Sequence, residues 1–257
     1  MMNCVYVSDV GRVRSVNEDC TWVDQLESGY TLAIVADGMG GHQAGDIASR
    51  MAVDTITGDL GALPTGLSAE ACGEELKKAI LHANEAVFRQ ATEHAEYHNM
   101  GTTVVAGIFA GNDGIIAHIG DSRAYHYRHG QIVQLTDDHS LVNELLKSKQ
   151  ISEEEATVHP HRNVVTRALG TDERVEVDLN RVSLEPGDIL LLCSDGLSNY
   201  VTPEQMALTL GSDDLGLKGR ADHLLQLALN AGGDDNISVA LLEQHEDAGS
   251  GTKEWNS

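Results

Sequence analysis

The chain contains 257 residues, of which 41% are hydrophobic and 22% charged, a composition typical of a globular protein that can bury a large core. Forty acidic residues against 17 basic ones give a formal net charge of −23, which disfavours binding to nucleic acids and to anionic membrane surfaces. The four cysteines form no C-x-x-C pair, and neither a secretory signal nor an apolar run of about 20 residues is present, so we expect a soluble cytoplasmic protein with reduced thiols.

In chain order, short apolar runs with the composition of β-strands alternate with helical segments. Strands are predicted over residues 20–23, 31–36, 102–109, 115–119, 123–127, 131–135, 175–179, 189–193 and 237–242. Turn-forming residues at 111–114, 120–122 and 128–130 separate four of these strands, which predicts an antiparallel meander.

Apolar residues repeat with the period of an α-helix in three segments, 48–56, 76–87 and 217–228. A few long helices among many antiparallel strands predict an α+β fold, a sandwich of two packed sheets with helices outside. Residues 137–172 are long for a connection and have their own helical pattern at 140–147, so we interpret them as a structured insertion, such as a lid. We predict one domain, residues 1–244, followed by a polar tail, residues 245–257.

The dipeptide Asp-Gly occurs three times, and such a pair usually marks a tight turn. Asp113-Gly114 fits a turn because strand-like residues lie on both sides. Asp37 and Asp195 instead each follow a buried strand and precede a glycine, which lets an ion, its waters and backbone carbonyls approach the carboxylate. These two aspartates are therefore candidate metal ligands.

Three more acidic segments have the same character. Asn17-Glu18-Asp19 and Asp234-Asp235-Asn236 each precede a predicted strand, and Asp121 lies between two strands, where a simple hairpin turn explains it nearly as well. Oxygen ligands without a matching set of histidines or cysteines favour Mg²⁺ or Mn²⁺ over Zn²⁺. Converging carboxylates repel one another unless cations bind, which favours two ions.

Two such ions, about 3.5–4 Å apart, lower the pKa of a bridging water and stabilise the attacking and leaving oxygens of an in-line displacement. That chemistry suits phosphate esters, and a positive side chain would help to hold the ester. Arg14, five residues before Asp19, is our candidate, and a solvated cation at the end of a strand is the equally weighted alternative.

Short motifs spread over residues 3–242 occur in a specific order. They are Arg14-x-x-Asn17-Glu18-Asp19, Ala36-Asp37-Gly38-Met39-Gly40-Gly41-His42, Gly101-Thr102-Thr103, Ile119-Gly120-Asp121-Ser122-Arg123, Thr136-x-Asp138-His139-Ser140, Thr166-Arg167-Ala168-Leu169-Gly170, Pro186-Gly187-Asp188, Cys193-Ser194-Asp195-Gly196-Leu197 and Asp235-Asn236-Ile237-Ser238. The ordered set resembles the metal-dependent serine/threonine protein phosphatase family (type 2C), in particular its short bacterial members.

The resemblance implies a four-layer α/β/β/α sandwich with a dinuclear Mn²⁺ or Mg²⁺ centre at one end of the two sheets. It implies that Asp37 bridges the two ions, that Gly38 contributes its carbonyl oxygen, and that Asp195 and Asp235 bind the first ion. Glu18 and Asp19 resemble the acidic pair that serves the second ion, directly or through its waters.

The resemblance also assigns expected roles to residues around this centre. Asp121, together with Asp195, resembles a third and weaker metal site, Arg14 resembles the group that holds the phosphate, and residues 137–172 correspond to the flap that influences substrate choice. In animal relatives a histidine directly after the Asp-Gly pair is the general acid, but here Met39 occupies that position. Either the nearby His42 protonates the leaving oxygen, or a metal-bound water does so and His42 packs at the start of a helix.

We therefore expect a metal-dependent hydrolase of phosphoserine and phosphothreonine in proteins, acting through one in-line attack by an activated water. By resemblance it is expected to work in bacterial signalling, as a monomer, and to reverse a Ser/Thr kinase of eukaryotic type. The alternatives are a catalytically silent module that binds phosphoproteins and a phosphohydrolase for small metabolites. Acidic residues at Asp37, Asp195 and Asp235 count against the silent module.

Overall fold

In the computed structural model, which describes residues 2–40 and 44–245, the chain forms two antiparallel β-sheets with helices on their outer faces. Sheet 1 contains, in spatial order, β1 (Met2–Asp9), β11 (Ile237–Gln244), β10 (Ile189–Cys193), β7 (Arg123–Arg128) and β8 (Gln131–Gln134). Sheet 2 contains β2 (Asp19–Gln25), β3 (Thr31–Met39), β5 (Val104–Ala110), β6 (Asp113–Ile119) and β9 (Asp178–Ser183), and the short β4 (Gly101–Thr102) pairs with β3. The helices are α1 (Ala44–Gly61), α2 (Ala69–Glu93), α3 (Leu141–Lys147), α4 (Glu153–Thr157), α5 (Asp195–Ser198), α6 (Pro203–Leu210) and α7 (Leu217–Ala231), and Ala95–Tyr97 form one 3-10 turn.

Alternate side chains of the central strands enter different hydrophobic clusters, as the two-residue period of a strand requires. In β3, Ile34 packs among residues of α1 and α2, whereas Val35 packs against residues of sheet 1. In β10, Leu190 packs against sheet 2, whereas Leu191 packs among residues of α6 and α7. The layer order is therefore helices, sheet 2, sheet 1 and helices, which confirms the predicted four-layer sandwich.

Burial on both faces also explains why residues 31–36 and 189–193 are continuous apolar runs rather than alternating patterns. Two of the helices that cover the sheets, α2 and α6, begin at side-chain caps. Ser68 accepts a hydrogen bond from the backbone of Ala71 at the start of α2, and Thr202 forms a capping box with Gln205 at the start of α6. No helix within residues 2–40 and 44–245 is long and apolar enough to cross a bilayer.

The predicted meander is wrong at residues 120–122. Strand β6 pairs with β5 and β9 in sheet 2, whereas β7 pairs with β8 and β10 in sheet 1, so these residues carry the chain from one sheet to the other. Gly120 adopts a φ of +104°, and a Cβ atom there would lie 2.5 Å from the Thr103 side chain. Glycine followed by aspartate gives the same local signal in a hairpin and in this crossing, so the sequence could not distinguish them.

Other elements differ from the prediction mainly in extent. The half-buried run predicted at 175–179 forms strand β9 three residues later, and the strand β1 and helix α6 were not predicted. Within residues 137–172, helix α3 confirms the helical pattern at 140–147, and α4 is a second short helix. Apart from His245, the predicted polar tail lies outside the described residues.

Candidate active site

The acidic end of sheet 2 is built by the pairing of β2 with β3, whose register places Asp19 opposite Asp37. Thr103 then fixes the backbone of Asp37 from the other side. The Asp37 N–H donates to Thr103 Oγ1 over 3.1 Å, and the Thr103 N–H donates to the Asp37 carbonyl oxygen over 2.9 Å. Pairing with β2 on one side and hydrogen bonds to Thr103 on the other thus fix the backbone of Asp37, and with it the direction of the side chain.

Sheet 1 brings three more carboxylates to the same end. Cys193, the last residue of β10, lies opposite Arg123, the first residue of β7, and close to the start of β11. Asp195 follows β10, Asp121 precedes β7, and Asp235 precedes β11. Because the strands are antiparallel, one strand end and two strand beginnings meet at this edge.

These segments enclose a cleft with a volume of about 290 Å³. Its lining residues are Arg14, Glu18, Asp37, Gly38, Met39, Gly40, Thr103, Asp121, Asn163, Val165, Asp195 and Asp235. Asp19 is half-buried beside the cleft, where its Oδ2 accepts a hydrogen bond from Ser194 Oγ over 2.7 Å. The structure therefore brings together the predicted site residues, except for His42, which lies outside the described residues.

Two glycines allow β2, β3 and the start of α1 to approach closely beside the cleft. The Gly38 N–H donates to the Glu18 carbonyl oxygen over 3.1 Å, and a Cβ atom at Gly38 would lie 2.1 Å from the Gly45 carbonyl oxygen. A Cβ atom at Gly45 would lie 2.7 Å from Glu18 Oε1. The second residue of the Asp37-Gly38 pair is thus required for packing, and not for a tight turn.

Arg14 reaches the cleft from its rim. Its guanidinium donates to Asp235 Oδ2 over 2.7 Å, and its side chain is about half exposed. The loop that carries Arg14 is held by Asn236, whose Oδ1 accepts from the Glu18 N–H and whose Nδ2 donates to the carbonyl oxygens of Val10 and Val16. Arg14 is therefore a half-exposed cation paired with a cleft carboxylate, on a loop that Asn236 holds in place, and not only a solvated residue at a strand end.

Burial is the main reason why the cleft carboxyl groups hold protons more tightly than free aspartates do. It raises the pKa of Asp19 to about 7 and that of Asp37 well above its usual range. Burial and the nearby Asp195 raise the pKa of Asp121 to about 7, and burial and Asp235 raise the pKa of Asp195 to about 6. Each ionised carboxylate in the cleft therefore also disfavours the ionisation of its neighbours.

The residues present suit divalent cations. The cleft carboxylates and the Gly38 carbonyl offer oxygen atoms, the ligands that Mg²⁺ and Mn²⁺ prefer. Asp19 Oδ1 is buried and has no hydrogen-bond partner, which is unusual for a carboxylate and leaves it available to an ion or an ion-bound water. Bound cations would also relieve the repulsion that raises the pKa values of these groups.

Sequence reasoning gave no role to several residues of the site. Thr103, Ser194 and Asn236 each orient a predicted ligand or its loop through hydrogen bonds. Thr103 belongs to the Gly101-Thr102-Thr103 motif, but no pattern in the sequence indicates that its hydroxyl would support the backbone of Asp37. Asn163 and Val165 come from residues 137–172, so the predicted insertion does border the cleft.

A second cavity of about 620 Å³ adjoins this cleft and shares Asp121, Asn163 and Asp195 with it. Its walls come largely from the 137–172 segment, including Val142 and Leu146 of α3, and from Tyr200 after α5. Tyr200 also donates a hydrogen bond to Asp234 over 3.1 Å. Asp234 therefore accepts from Tyr200 and is not among the residues that line the cleft.

A cluster of carboxylates and one arginine at the end of a two-sheet sandwich suits a metal-dependent hydrolase of anionic esters. Comparisons with known proteins agree. The sequence profile of the protein phosphatase 2C family matches residues 12–225. Serine/threonine phosphatase stp from Listeria welshimeri is 42% identical over 244 residues, which cover 95% of this chain and 96% of that protein.

Solved structures give the same result. The serine/threonine phosphatase of S. agalactiae superposes with a TM-score of 0.90 at 38% identity, covering 95% of this chain and 99% of that one. The catalytic domain of the protein phosphatase PstP, solved in complex with two manganese ions, superposes with a TM-score of 0.82 at 34% identity, covering 94% and 97%. This chain belongs to the protein phosphatase 2C family of metal-dependent serine/threonine phosphatases.

Proposed function

We propose that this phosphatase hydrolyses phosphoserine and phosphothreonine in proteins by a single in-line attack of water on phosphorus, without a phosphoenzyme intermediate. The P–O bond to the serine or threonine oxygen breaks as the new P–O bond forms, and the leaving oxygen takes up a proton. One observation carries the proposal: carboxylates from both sheets, with Arg14 on the rim, line a single cleft.

The proposed ligand assignment is the one that the resemblance implies, and the cleft supports it by bringing most of these residues together. Asp37 would be a ligand of both ions and Gly38 would contribute its carbonyl oxygen. Asp195 and Asp235 would hold the first ion, and Glu18 and Asp19 would serve the second, directly or through its waters. Asp121, with Asp195, would hold a third and weaker ion. Two divalent cations in these positions, Mn²⁺ or Mg²⁺, would lower the pKa of water and neutralise charge on the phosphoryl group.

The protein's own groups would then orient the ester. Arg14 can leave Asp235 and present two parallel N–H groups to phosphoryl oxygens, because its side chain is half exposed. Thr103 and Ser194 keep Asp37 and Asp19 in place while charge shifts. A role for His42 in protonating the leaving oxygen stays a prediction.

The proposed substrates are phosphoproteins made by a Ser/Thr kinase of eukaryotic type, and the enzyme is proposed to act as a monomer in the cytoplasm. The names of its relatives support phosphoproteins as substrates, because these relatives are called serine/threonine phosphatases. The cavity beside the cleft also has room for residues that flank a phosphoserine. Four free cysteines fit a reducing compartment.

Turnover of a phosphopeptide, with and without added Mn²⁺ or Mg²⁺, tests the proposal. We expect activity that requires the metal, disappears with excess chelator and falls at least about a thousandfold in Asp37→Asn. Sugar and nucleotide phosphates should be hydrolysed far more slowly than phosphopeptides. Full turnover in chelator would refute metal dependence, and phosphopeptide binding without turnover would identify a silent binding module instead.

A comparison of phosphoproteomes from cells with active enzyme and with the Asp37→Asn variant tests the physiological part. Phosphoserine and phosphothreonine sites should accumulate in the variant, and they should disappear when the cognate kinase is removed. No accumulation would refute phosphoproteins as the substrates.

A further inference from the structure

The start of the 137–172 segment holds the Asp121 loop, which we define as Gly120–Arg123, on both sides of Asp121. The His139 N–H donates to the Gly120 carbonyl oxygen over 2.9 Å, and the Gly120 N–H donates to His139 Nδ1 over 3.0 Å. On the other side, Arg123 makes a bidentate interaction with Asp138, with Nε and Nη2 at 2.9 and 2.6 Å from its oxygens. The backbone position of Asp121 therefore depends on residues 138 and 139.

His139 also contacts Asp178 at the start of β9 and Thr166 near the far end of the same segment. Its Nε2 lies 3.3 Å from Asp178 Oδ2, and Asp178 accepts hydrogen bonds from Arg167. The Thr166 N–H donates to the His139 carbonyl oxygen over 2.8 Å. Only 5% of the His139 surface is exposed, so this residue joins both ends of the segment to the Asp121 loop from a buried position.

The surroundings of His139 look at first like a metal site, since His118, His139 and Asp178 each place a ligand-type atom within 4.8 Å of the other two. The hydrogen bonds argue against it. Because His139 Nδ1 accepts from Gly120, its proton must be on Nε2, where it faces Asp178 and leaves no lone pair for an ion. Arg167 beside Asp178 adds a positive charge that would repel a cation.

The ring of His139 is held as the neutral form. It stacks on His118, with ring centroids 4.7 Å apart and planes 16° from parallel. Burial, Arg167 and His118 lower the pKa of His139 to about 4. At neutral pH it is therefore a fixed acceptor toward Gly120 and a fixed donor toward Asp178.

We propose that His139 is a positioning residue for Asp121, and that its Nδ1 acts by holding the Gly120 peptide so that the Asp121 carboxylate faces the cleft. Gly120 has a φ of +104° and no side chain, so without this bond its peptide can rotate and carry Asp121 away. The inference rests on the proposed function, because it takes Asp121 as a ligand of the weaker third ion.

Two substitutions of His139 separate the two hydrogen bonds. The amide oxygen of asparagine occupies the place of Nδ1 and can accept from Gly120, whereas the amide of glutamine extends to the place of Nε2 and can donate to Asp178. Both variants lose the ring that stacks on His118, so that loss is common to them. His126→Gln is the matched control, because His126 pairs with Asp188 at the other end of β7.

Calorimetric titration of the metal-free proteins with Mn²⁺ is the primary measurement, with thermal unfolding to confirm that each variant is folded. We expect Asp121→Asn to lose the weakest binding phase and His139→Gln to weaken it about tenfold, the effect of leaving one buried N–H unpaired. His139→Asn should stay within about threefold of the wild type, and His126→Gln should not differ.

Equal weakening in His139→Asn and His139→Gln would overturn the proposal, because the Gly120 bond would then not be the cause. A wild-type weak phase that Asp121→Asn leaves intact would overturn it as well, and so would a His139→Gln titration identical to that of the wild type. Phosphopeptide turnover by the wild type distinguishes the two failures. An active enzyme with an unaltered titration in His139→Gln refutes this inference alone, whereas an inactive wild type refutes the proposed function.

Discussion

Replacement of Asp195 by asparagine is expected to stabilise the metal-free protein while it abolishes metal-dependent turnover. Burial and the nearby Asp235 raise the pKa of Asp195 from 3.8 to about 6. The folded protein thus holds this proton more tightly than the unfolded chain does. The stability that the protonated group contributes is fully present below about pH 4 and is lost as the pH rises through about 6.

The size of the effect follows from that shift. A pKa difference of about two units corresponds to about 3 kcal/mol once the group is ionised in both states. Asparagine has the same shape, never ionises, and its Oδ1 can still accept from Asn199 Nδ2, which lies 3.1 Å from Asp195 Oδ2. In chelator at pH 7.5 the variant should therefore unfold about 6–12 °C above the wild type.

Thermal and urea unfolding in chelator, at pH 5 and at pH 7.5, measure this difference. The stabilisation should be smaller at pH 5, where the wild-type group is largely protonated. Asp188→Asn is the matched control. Burial acts to raise the pKa of Asp188, but hydrogen bonds from Arg128, from the Glu185 backbone and from His126 outweigh it and lower the pKa, so this variant should be less stable than the wild type at pH 7.5. An Asp195→Asn variant that is no more stable than the wild type at pH 7.5, or whose gain is the same at both pH values, would refute the reasoning.

Three further predictions use the same cleft. Saturating Mn²⁺ should raise the melting temperature more at pH 7.5 than at pH 5.5, because the ligands must be ionised to bind, and equal shifts would contradict this. Gly38→Ala should lower the free energy of unfolding by about 3 kcal/mol, because its Cβ would lie 2.1 Å from the Gly45 carbonyl oxygen. The matched control Gly58→Ala, which has open space in α1, should raise the free energy of unfolding by about 0.5–1 kcal/mol. Urea unfolding of both variants measures the two changes, and a Gly38→Ala variant as stable as the wild type would contradict the prediction. Arg14→Lys should raise the KM for a phosphopeptide about tenfold while kcat changes less, because lysine cannot make two parallel hydrogen bonds, and an unchanged KM in steady-state kinetics would contradict it.

The sequence allowed much of the site to be predicted because its main signals are local. The sequence places Asp37 after a strand that the structure extends to Met39, so Asp37 lies within the last three residues of β3, whereas Asp195 follows β10 as predicted. A residue at the end of a strand in a two-sheet sandwich lies at the edge of the core. The apolar runs before them could be recognised without knowledge of their partners. The prediction that these carboxylates meet depended on the ordered motifs, because spacing along the chain does not specify which strand ends share an edge.

The part of the prediction that failed depended on contacts between distant residues. Gly120 and Asp121 look like a hairpin turn, and only the pairing of β6 and β7 with strands in different sheets shows that the chain crosses there. The support that Gly120 receives from His139 likewise joins residues 19 positions apart. A single sequence carries no periodic pattern for either contact, so neither could be derived from it.

The charge of the nearest partner distinguishes Asp19 and Asp195, two of the proposed ligands, from two carboxylates that support the fold. Asp138 and Asp188 are both well buried, and each is matched by an arginine, Arg123 or Arg128. In the cleft, Asp19 accepts instead from the neutral Ser194 hydroxyl and Asp195 from the neutral Asn199 amide, whereas Asp235 pairs with the half-exposed Arg14. A neutral donor fixes the direction of an oxygen without cancelling its charge, so the electrostatic cost of crowding these acids remains in the folded protein until a cation binds. Arg128 already cancels the charge of Asp188, whereas the Asn199 amide leaves the charge of Asp195 in place, so a cation has more to gain at Asp195 than at Asp188.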